Sequence, residues 1–358
     1  MYEKLRPIMK TAGVQIEPKA FYWAVNSAYH EAESHLYDEA HTDMYAWGQQ
    51  LWSFLSHYIN HSSKSVNILD IGCGTGLVGS FLNEHCSDHV ESLTQLDPND
   101  GMLAKAQQRS QEWSFPSIAR KGEVFSLDGN EQFDIVIASS VLHHVVETHE
   151  FLSKVQDLMR INGFFITTQD PVFEYYRDSI FASRKRELLA AQGFSSKSSA
   201  FRRYLGSLKR RVFNAPQEHP LAAAVNRTLL KDGIVRRPLA IEVIWSITDF
   251  HVPEQPGGIG SGFSQTALAS NLSKLTLCEW RTYQFYGASY SSLSSEFQNS
   301  EIDLWNSKDT HGQLFCSVWQ KGPTSWVKFN VSSTASNQTG WTNAILASKM
   351  LRYVYLHI

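Results

Sequence analysis

The sequence is poor in several things, and each shortage removes a class of function. It has only four cysteines, Cys73, Cys86, Cys278 and Cys316, none in a Cys-x-x-Cys pair, so neither a disulfide framework nor a zinc motif is expected. His30, His35 and His41 do not follow the i, i+4 spacing of helical metal ligands, and no metal is expected. No stretch of about 18 apolar residues occurs, and residues 1–10 lack the apolar run of a signal peptide. A cytoplasmic protein without membrane partners is the expectation. Basic charge is not in excess either: the formal net charge is -3, which gives no global field for nucleic acid. There is no internal repeat.

What is present is globular composition, 42% hydrophobic and 19% charged. Ten Trp, fourteen Tyr and twenty Phe suit apolar pockets as well as core packing. Residues from about 17 to 60 read as helical. Val66 to Ile71, Val90 to Leu96, Phe133 to Ala138 and Phe164 to Thr168 read as strands, with helical patterns between them. That alternation predicts a doubly wound parallel sheet covered by helices on both faces. Basic helical segments fill about 172–240, and Ile244 to His251 alternates enough to be read as extended. Leu275 to Tyr286 and Leu314 to Trp319 read as two further strands. The expected division is a helical lid (1–62), a Rossmann-like core (63–172), a cap or substrate insertion (173–262), the last core strands (263–322) and a tail (323–358).

The chemistry concentrates where the first strand ends. Asp70-Ile71-Gly72-Cys73-Gly74-Thr75-Gly76 places a glycine turn between strand and helix, where a ligand can approach the backbone and meet free N–H groups. Alone, such a turn indicates only a nucleotide-like ligand. Asp70 suits an ammonium group better than a phosphate, because two anions repel. Asp97 ends the next strand, where a carboxylate can accept two ribose hydroxyls. Glu123 can reach an adenine amino group. A ligand with an amino acid, a ribose and an adenine, and no need of a phosphate, is S-adenosylmethionine (SAM). The plainer readings are a helix cap for Asp70, a turn residue for Asp97, core packing for Met102 and a solvated loop acid for Glu123.

Taken together these segments resemble the class I SAM-dependent methyltransferases of small-molecule type. Residues 66–76 resemble the family's first motif. Gln95-Leu96-Asp97-Pro98 with Met102 resembles the second, and Phe133 to Ser139 followed by Val141-Leu142-His143-His144 the fourth. Arg160-Ile161-Asn162-Gly163-Phe164 departs from the usual Pro-Gly-Gly before the fifth strand. The resemblance implies a seven-stranded Rossmann-like α/β fold with an N-terminal helical lid and a helical cap. It also implies Gly72, Gly74 and Gly76 around the aminocarboxypropyl group, Asp97 on ribose, Val124 with Glu123 at adenine, and Ser139 near the sulfonium, with Pro98 and Met102 among the cofactor-binding residues.

Further candidates follow from position. His143 and His144 lie at the mouth of the site, where an imidazole can act as a base. Asp170, with Tyr176 nearby, follows the fifth strand, whose carboxyl end should face the ligand. Tyr29 or Tyr37 of the lid can close over a sulfonium with a ring face. The expected activity is methylation of oxygen, nitrogen or carbon in a small organic molecule of secondary metabolism, free or carrier-tethered. Cyclisation of SAM to azetidine-2-carboxylate with release of methylthioadenosine, and SAM binding without catalysis, are the alternatives. The absence of an Asn/Asp-Pro-Pro-Tyr/Phe motif counts against a nucleic-acid substrate.

Overall fold

A computed structural model describes residues 2–34, 42–60, 64–192, 219–252 and 262–322. Tyr37, His35, His41 and the basic residues at 202–203 and 209–211 lie outside the described residues, as does the tail. Seven strands form one sheet in the order β3-β2-β1-β4-β5-β7-β6. They are β1 (Val66–Ile71), β2 (Val90–Asp97), β3 (Ser117–Lys121), β4 (Phe133–Ser139), β5 (Met159–Pro171), β6 (Leu275–Tyr283) and β7 (Leu314–Lys321). The first five are parallel to one another, and β7 runs antiparallel to both β5 and β6. The order reverses direction at β1, so the carboxyl ends of β1, β2 and β4 open into a crevice.

The strands β1 and β4 are apolar runs because both of their faces are buried. Ile68, Ile135 and Ile137 point into the core on one side, with Trp52, Phe81 and Leu93. Leu69, Ile71, Val136 and Ala138 point into the other, with Leu152 and Val155. The helices that cover these faces include α3 (Thr42–Asn60) and α4 (Leu77–Cys86) on the first and α6 (Thr148–Leu158) on the second. Between β2 and β3 lies α5 (Asp100–Ser110), started by Asn99, whose side chain accepts from the Met102 N–H.

A third cluster is mainly helical. It joins α1 (Arg6–Ala12) and α2 (Pro18–Ser34) to α8 (Pro220–Lys231) and α9 (Ile241–Thr248). Phe21 and Val25 of α2 pack in one core with Val225, Leu229, Ile244 and Ile247. The seam is also polar: Ala12 O accepts from the backbone N–H groups of Arg236 and Arg237. Inside the cap, Asn226 donates to Leu239 O and accepts from Leu239 N. The remaining α-helices among the described residues are α7 (Ser179–Ala191), α10 (Gln265–Asn271) and α11 (Ser295–Asn306).

Two readings of the sequence change. Residues 244–251 are not extended: α9 covers Ile241–Thr248. Their β-branched content favours a strand, but Ile244, Ile247 and Thr248 recur at helical spacing and are buried against the lid, and tertiary packing overrides the weak propensity. The strand β3 was not anticipated. It is an edge strand whose residues are half-buried or exposed, so Ser-Ile-Ala-Arg-Lys carries no apolar run to mark it. Consequently Glu123 follows a strand end instead of merely preceding β4.

Candidate active site

The glycine loop is shaped by the strand ends beside it. Leu96 O accepts from both Gly72 N and Cys73 N, at 2.7 and 3.1 Å. This pulls the loop across the end of β2. Gly72 has φ +64°, and a Cβ there would lie 2.7 Å from Val141 Cγ2. Gly74 has φ +53° and would meet nothing within 4 Å. Gly72 is therefore required by the close approach of the segment after β4, and Gly74 faces open space. Gly76 serves packing: its Cβ would meet Ala106 Cα of α5 at 3.1 Å.

Asp97 is buried and organises both sides of the loop. One carboxylate oxygen accepts from Gly74 N at 3.0 Å, the other from Asn99 N at 2.8 Å. Burial pushes its pKa up, against the pull of those two N–H groups. Asp70 differs. It is fully buried, and neither carboxylate oxygen has a hydrogen-bond partner. Burial, and then the neighbouring Asp97, raise its pKa well above the usual carboxylate range. An unpartnered buried carboxyl is costly, and an ammonium group is the species that satisfies it. Thus the residues here fit a ligand with a cationic amino group and a hydroxylated ring, as SAM has.

A cavity of about 200 Å³ opens over this wall. Gly72, Gly74, Asp97, Pro98, Met102, Glu123, Val124 and His144 all line it. Glu123 is half-buried and pushed up by that burial. The opposite wall comes from the lid, through Tyr22, Trp23, Asn26, Ser27 and His30 of α2 together with Tyr2. The Tyr22 hydroxyl donates to His144 O, and Lys19 pairs with Glu147 at 2.8 Å on the rim. A second, smaller space adjoins the first at Gly72, Gly74 and Ser140. It is lined also by Met44, Trp52, Phe81, Ser139 and Gln169. Ser139 Oγ accepts from Thr168 Oγ1 at 2.8 Å.

The structure separates the histidines. His144 Nδ1 lies 2.7 Å from Thr248 O; a carbonyl only accepts, so Nδ1 carries the hydrogen and Nε2 keeps a lone pair. Burial, with His143 and His30 close by, holds its pKa well below the ordinary value. His144 is therefore neutral and lines the larger cavity. His143 lines neither cavity. Asp170 Oδ1 accepts from the His143 backbone N–H and sits 2.9 Å from ring Nδ1, while Asp170 Oδ2 accepts from Thr167 Oγ1. Burial opposes the charged ring of His143, but Asp170 outweighs it and the pKa is raised. The pair fixes the turn after β4, which His251 braces through Val145 O.

Of the candidates, Asp70, Gly76 and His143 line neither cavity, and three more are placed elsewhere. Tyr29 is buried and donates to Glu33 at 3.0 Å; it does not line either cavity. It sits on the lid face that packs against the cap. Asp170 is fully buried and spent on His143 and Thr167. Tyr176 packs in the core against Tyr175, with ring centroids 4.5 Å apart, and lines neither cavity. The lid residues Tyr22, Asn26 and His30 do line the site; Tyr22 and Asn26 are not among the sequence candidates, and His30 is weighed there only as a metal ligand. Their signal was present: i, i+4, i+8 spacing puts them on one stripe of α2.

Residues 69–165 match a family model described as a methyltransferase domain. The chain is 34% identical over 106 residues to ubiquinone biosynthesis O-methyltransferase of Azorhizobium caulinodans, covering 29% of this chain and 40% of that protein. It is 29% identical over 180 residues to the hybrid PKS-NRPS synthetase thnA of Trichoderma harzianum, covering 46% of this chain and 4% of that one. The match therefore spans well under two thirds of either relative. Among solved structures, the plantazolicin methyltransferase BpumL in complex with SAH is 12% identical with a TM-score of 0.42, over 85% of this chain and 97% of that one. The N-methyltransferase NodS from Bradyrhizobium japonicum WM9 is 13% identical with a TM-score of 0.38, over 76% and 87%.

Proposed function

We propose that the chain, whose residues 69–165 match a methyltransferase-domain model, is a class I SAM-dependent methyltransferase that methylates a small organic acceptor, free or carrier-tethered, at an uncharged nucleophilic atom. The observation that carries the proposal is Asp70, a fully buried carboxyl with no partner for either oxygen. When bound, SAM supplies a methyl group on a sulfonium, already activated for attack by a nucleophile. The protein's contribution is then mainly position and dryness. Asp70 takes the amino group of the cofactor. Asp97 takes the ribose hydroxyls, and Glu123 and Val124 the adenine. The lid stripe of Tyr22, Asn26 and His30 closes the cavity against water. His144 accepts the acceptor's proton at Nε2, the nitrogen that its bond to Thr248 leaves free. His143 and Asp170 position this turn without touching the acceptor.

Calorimetry tests the Asp70 assignment. Burial raises the Asp70 pKa well above the usual carboxylate range and an ammonium partner would lower it, so SAM binding should release protons. Titrations in buffers of different ionisation enthalpy should show that release, and Asp70→Asn should abolish it and weaken binding. Binding without proton release, and unchanged by Asp70→Asn, would sink the assignment. Product analysis separates the chemistries. S-adenosylhomocysteine (SAH) forming only with an acceptor supports methyl transfer, whereas methylthioadenosine formed without one would replace it with cyclisation.

A further inference from the structure

Two residues other than glycine adopt left-handed backbone at the carboxyl ends of adjacent strands. Ser140, just past β4, has φ +60°, and Gln169, within β5, has φ +64°. Side chains rarely tolerate this region, and the cost persists only where the surroundings enforce it. The two are tied together, since Ser140 N donates to Thr168 O at 2.8 Å. The ladder between β5 and β7 also skips here. Thr168 pairs with Cys316 and Asp170 with Phe315, which leaves Gln169 outside the register. Both residues line the smaller space beside the glycine loop. Neither strain nor bulge is needed to hold the sheet, whose pairing is regular from Phe164 to Thr168.

The order of the strand ends gives the space a direction. Glu123 lies beyond β3, Asp97 ends β2, Gly72 follows β1 and Ser139 ends β4. A cofactor laid with adenine at Glu123 and sulfonium at Ser139 runs along that series. The next strand end is β5, where Gln169 stands. The space there has a volume of about 40 Å³, room for the polar end of an acceptor and not for the whole of it. Among the described residues its wall has no acidic or basic side chain; Trp52, Met44 and Phe81 are apolar, and Ser139, Ser140 and Gln169 are neutral. Its one thiol, Cys73, is pushed well above the ordinary range by burial and stays uncharged. A charged group would lose its hydration here without an ionic partner.

We propose that Gln169, held with Ser140 in strained backbone at the ends of β5 and β4, binds the methyl acceptor and selects an uncharged hydroxyl over a carboxylate. The carboxamide both donates and accepts, which matches a hydroxyl. The acceptor's reacting group then lies at Ser140, where the two spaces meet, between Gln169 on one side and His144 on the other. This rests on the methyltransferase reading above.

The test uses the full chain loaded with SAH, titrated with catechol or with benzoate, whose only polar group is a carboxylate. Catechol should bind at least tenfold more tightly than benzoate. Gln169→Gly should weaken catechol at least tenfold and leave SAH affinity within twofold. The same change relieves the left-handed strain and should raise Tm by about 2–4 °C. A merely structural residue would not combine gained stability with lost binding. Gln169→Asn keeps the carboxamide and tolerates the backbone, so it should retain part of the binding. Equal affinity for catechol and benzoate, no catechol binding to the SAH-loaded protein, or undiminished binding in Gln169→Gly would each overturn the inference. Failure of SAH itself to bind the unmodified chain would overturn the methyltransferase reading, and this inference with it.

Discussion

The two walls of the larger cavity are built in different ways. The strand-end wall holds Gly72, Gly74 and Asp97, and its bonds run between neighbouring strand ends: Gly72 to Leu96, Gly74 to Asp97, Gly122 to Asp97. The helical wall is one stripe of α2, fixed to the core by the Tyr22 bond to His144 O and by Lys19 with Glu147. Its other side is buried against the cap helices α8 and α9. The first wall is anchored by backbone geometry, the second by a helix bundle and a few side-chain latches. One wall should therefore set whether the cofactor binds, and the other how long it stays.

Variants can break that comparison in order of expected effect. The largest belongs to the chemical step. His144→Gln should lower SAH formation by about 10²–10⁴-fold with catechol as acceptor, with SAM affinity preserved. Because burial depresses the His144 pKa, the unmodified protein should keep its rate as pH falls from 8 past the ordinary histidine pKa of about 6.5. The loss on the acid side should begin only below that value. A rate that already halves near pH 6.5, or a His144→Gln variant as active as the parent, would remove His144 from the reaction.

Next is the strand-end wall. Asp97→Ala deletes the acceptor of the Gly74 and Asn99 N–H groups as well as the proposed ribose contact. A charge-assisted bond contributes about 1.5–3 kcal/mol, so calorimetry should find Kd raised roughly 10- to 150-fold. Unchanged affinity would leave Asp97 as a loop brace alone. The helical wall should respond least. Tyr22→Phe removes one latch, worth about 0.5–1.5 kcal/mol. Stopped-flow release of SAH should quicken by about 2–10-fold, with the association rate unaltered. A larger loss than that from Asp97→Ala would invert the comparison.

Legibility followed the same division. The loop 70–76 and Asp97 can be read because strand, turn and helix are consecutive in the chain, and glycine and carboxylate are the residues such a turn requires. Val66 to Ile71 and Phe133 to Ala138 are recognisable because burial on both faces demands an unbroken apolar run. By contrast β3 is an edge strand with no such run, and α9 hides its helical period behind β-branched residues. Tyr29 and Tyr22 are both lid tyrosines; which of them faces the cavity depends on how α2 is rotated, and that is set by its contacts with residues some 200 positions away. Likewise His143 and His144 are neighbours in the chain with equal claims. Asp170 takes one ring and Thr248 O the other, and no local pattern shows which partner each would meet.

The sequence by itself determined the ligand class, because Asp70 before the loop, which suits an ammonium and not a phosphate, and Asp97 after it, which suits a ribose, lie within one β-loop-α-β stretch. Only the tertiary structure decided which side chains line the two cavities. The lid stripe, the lone pair of His144 and the left-handed Gln169 arise from contacts between segments far apart in the chain, and a side chain's orientation is fixed by what it packs against.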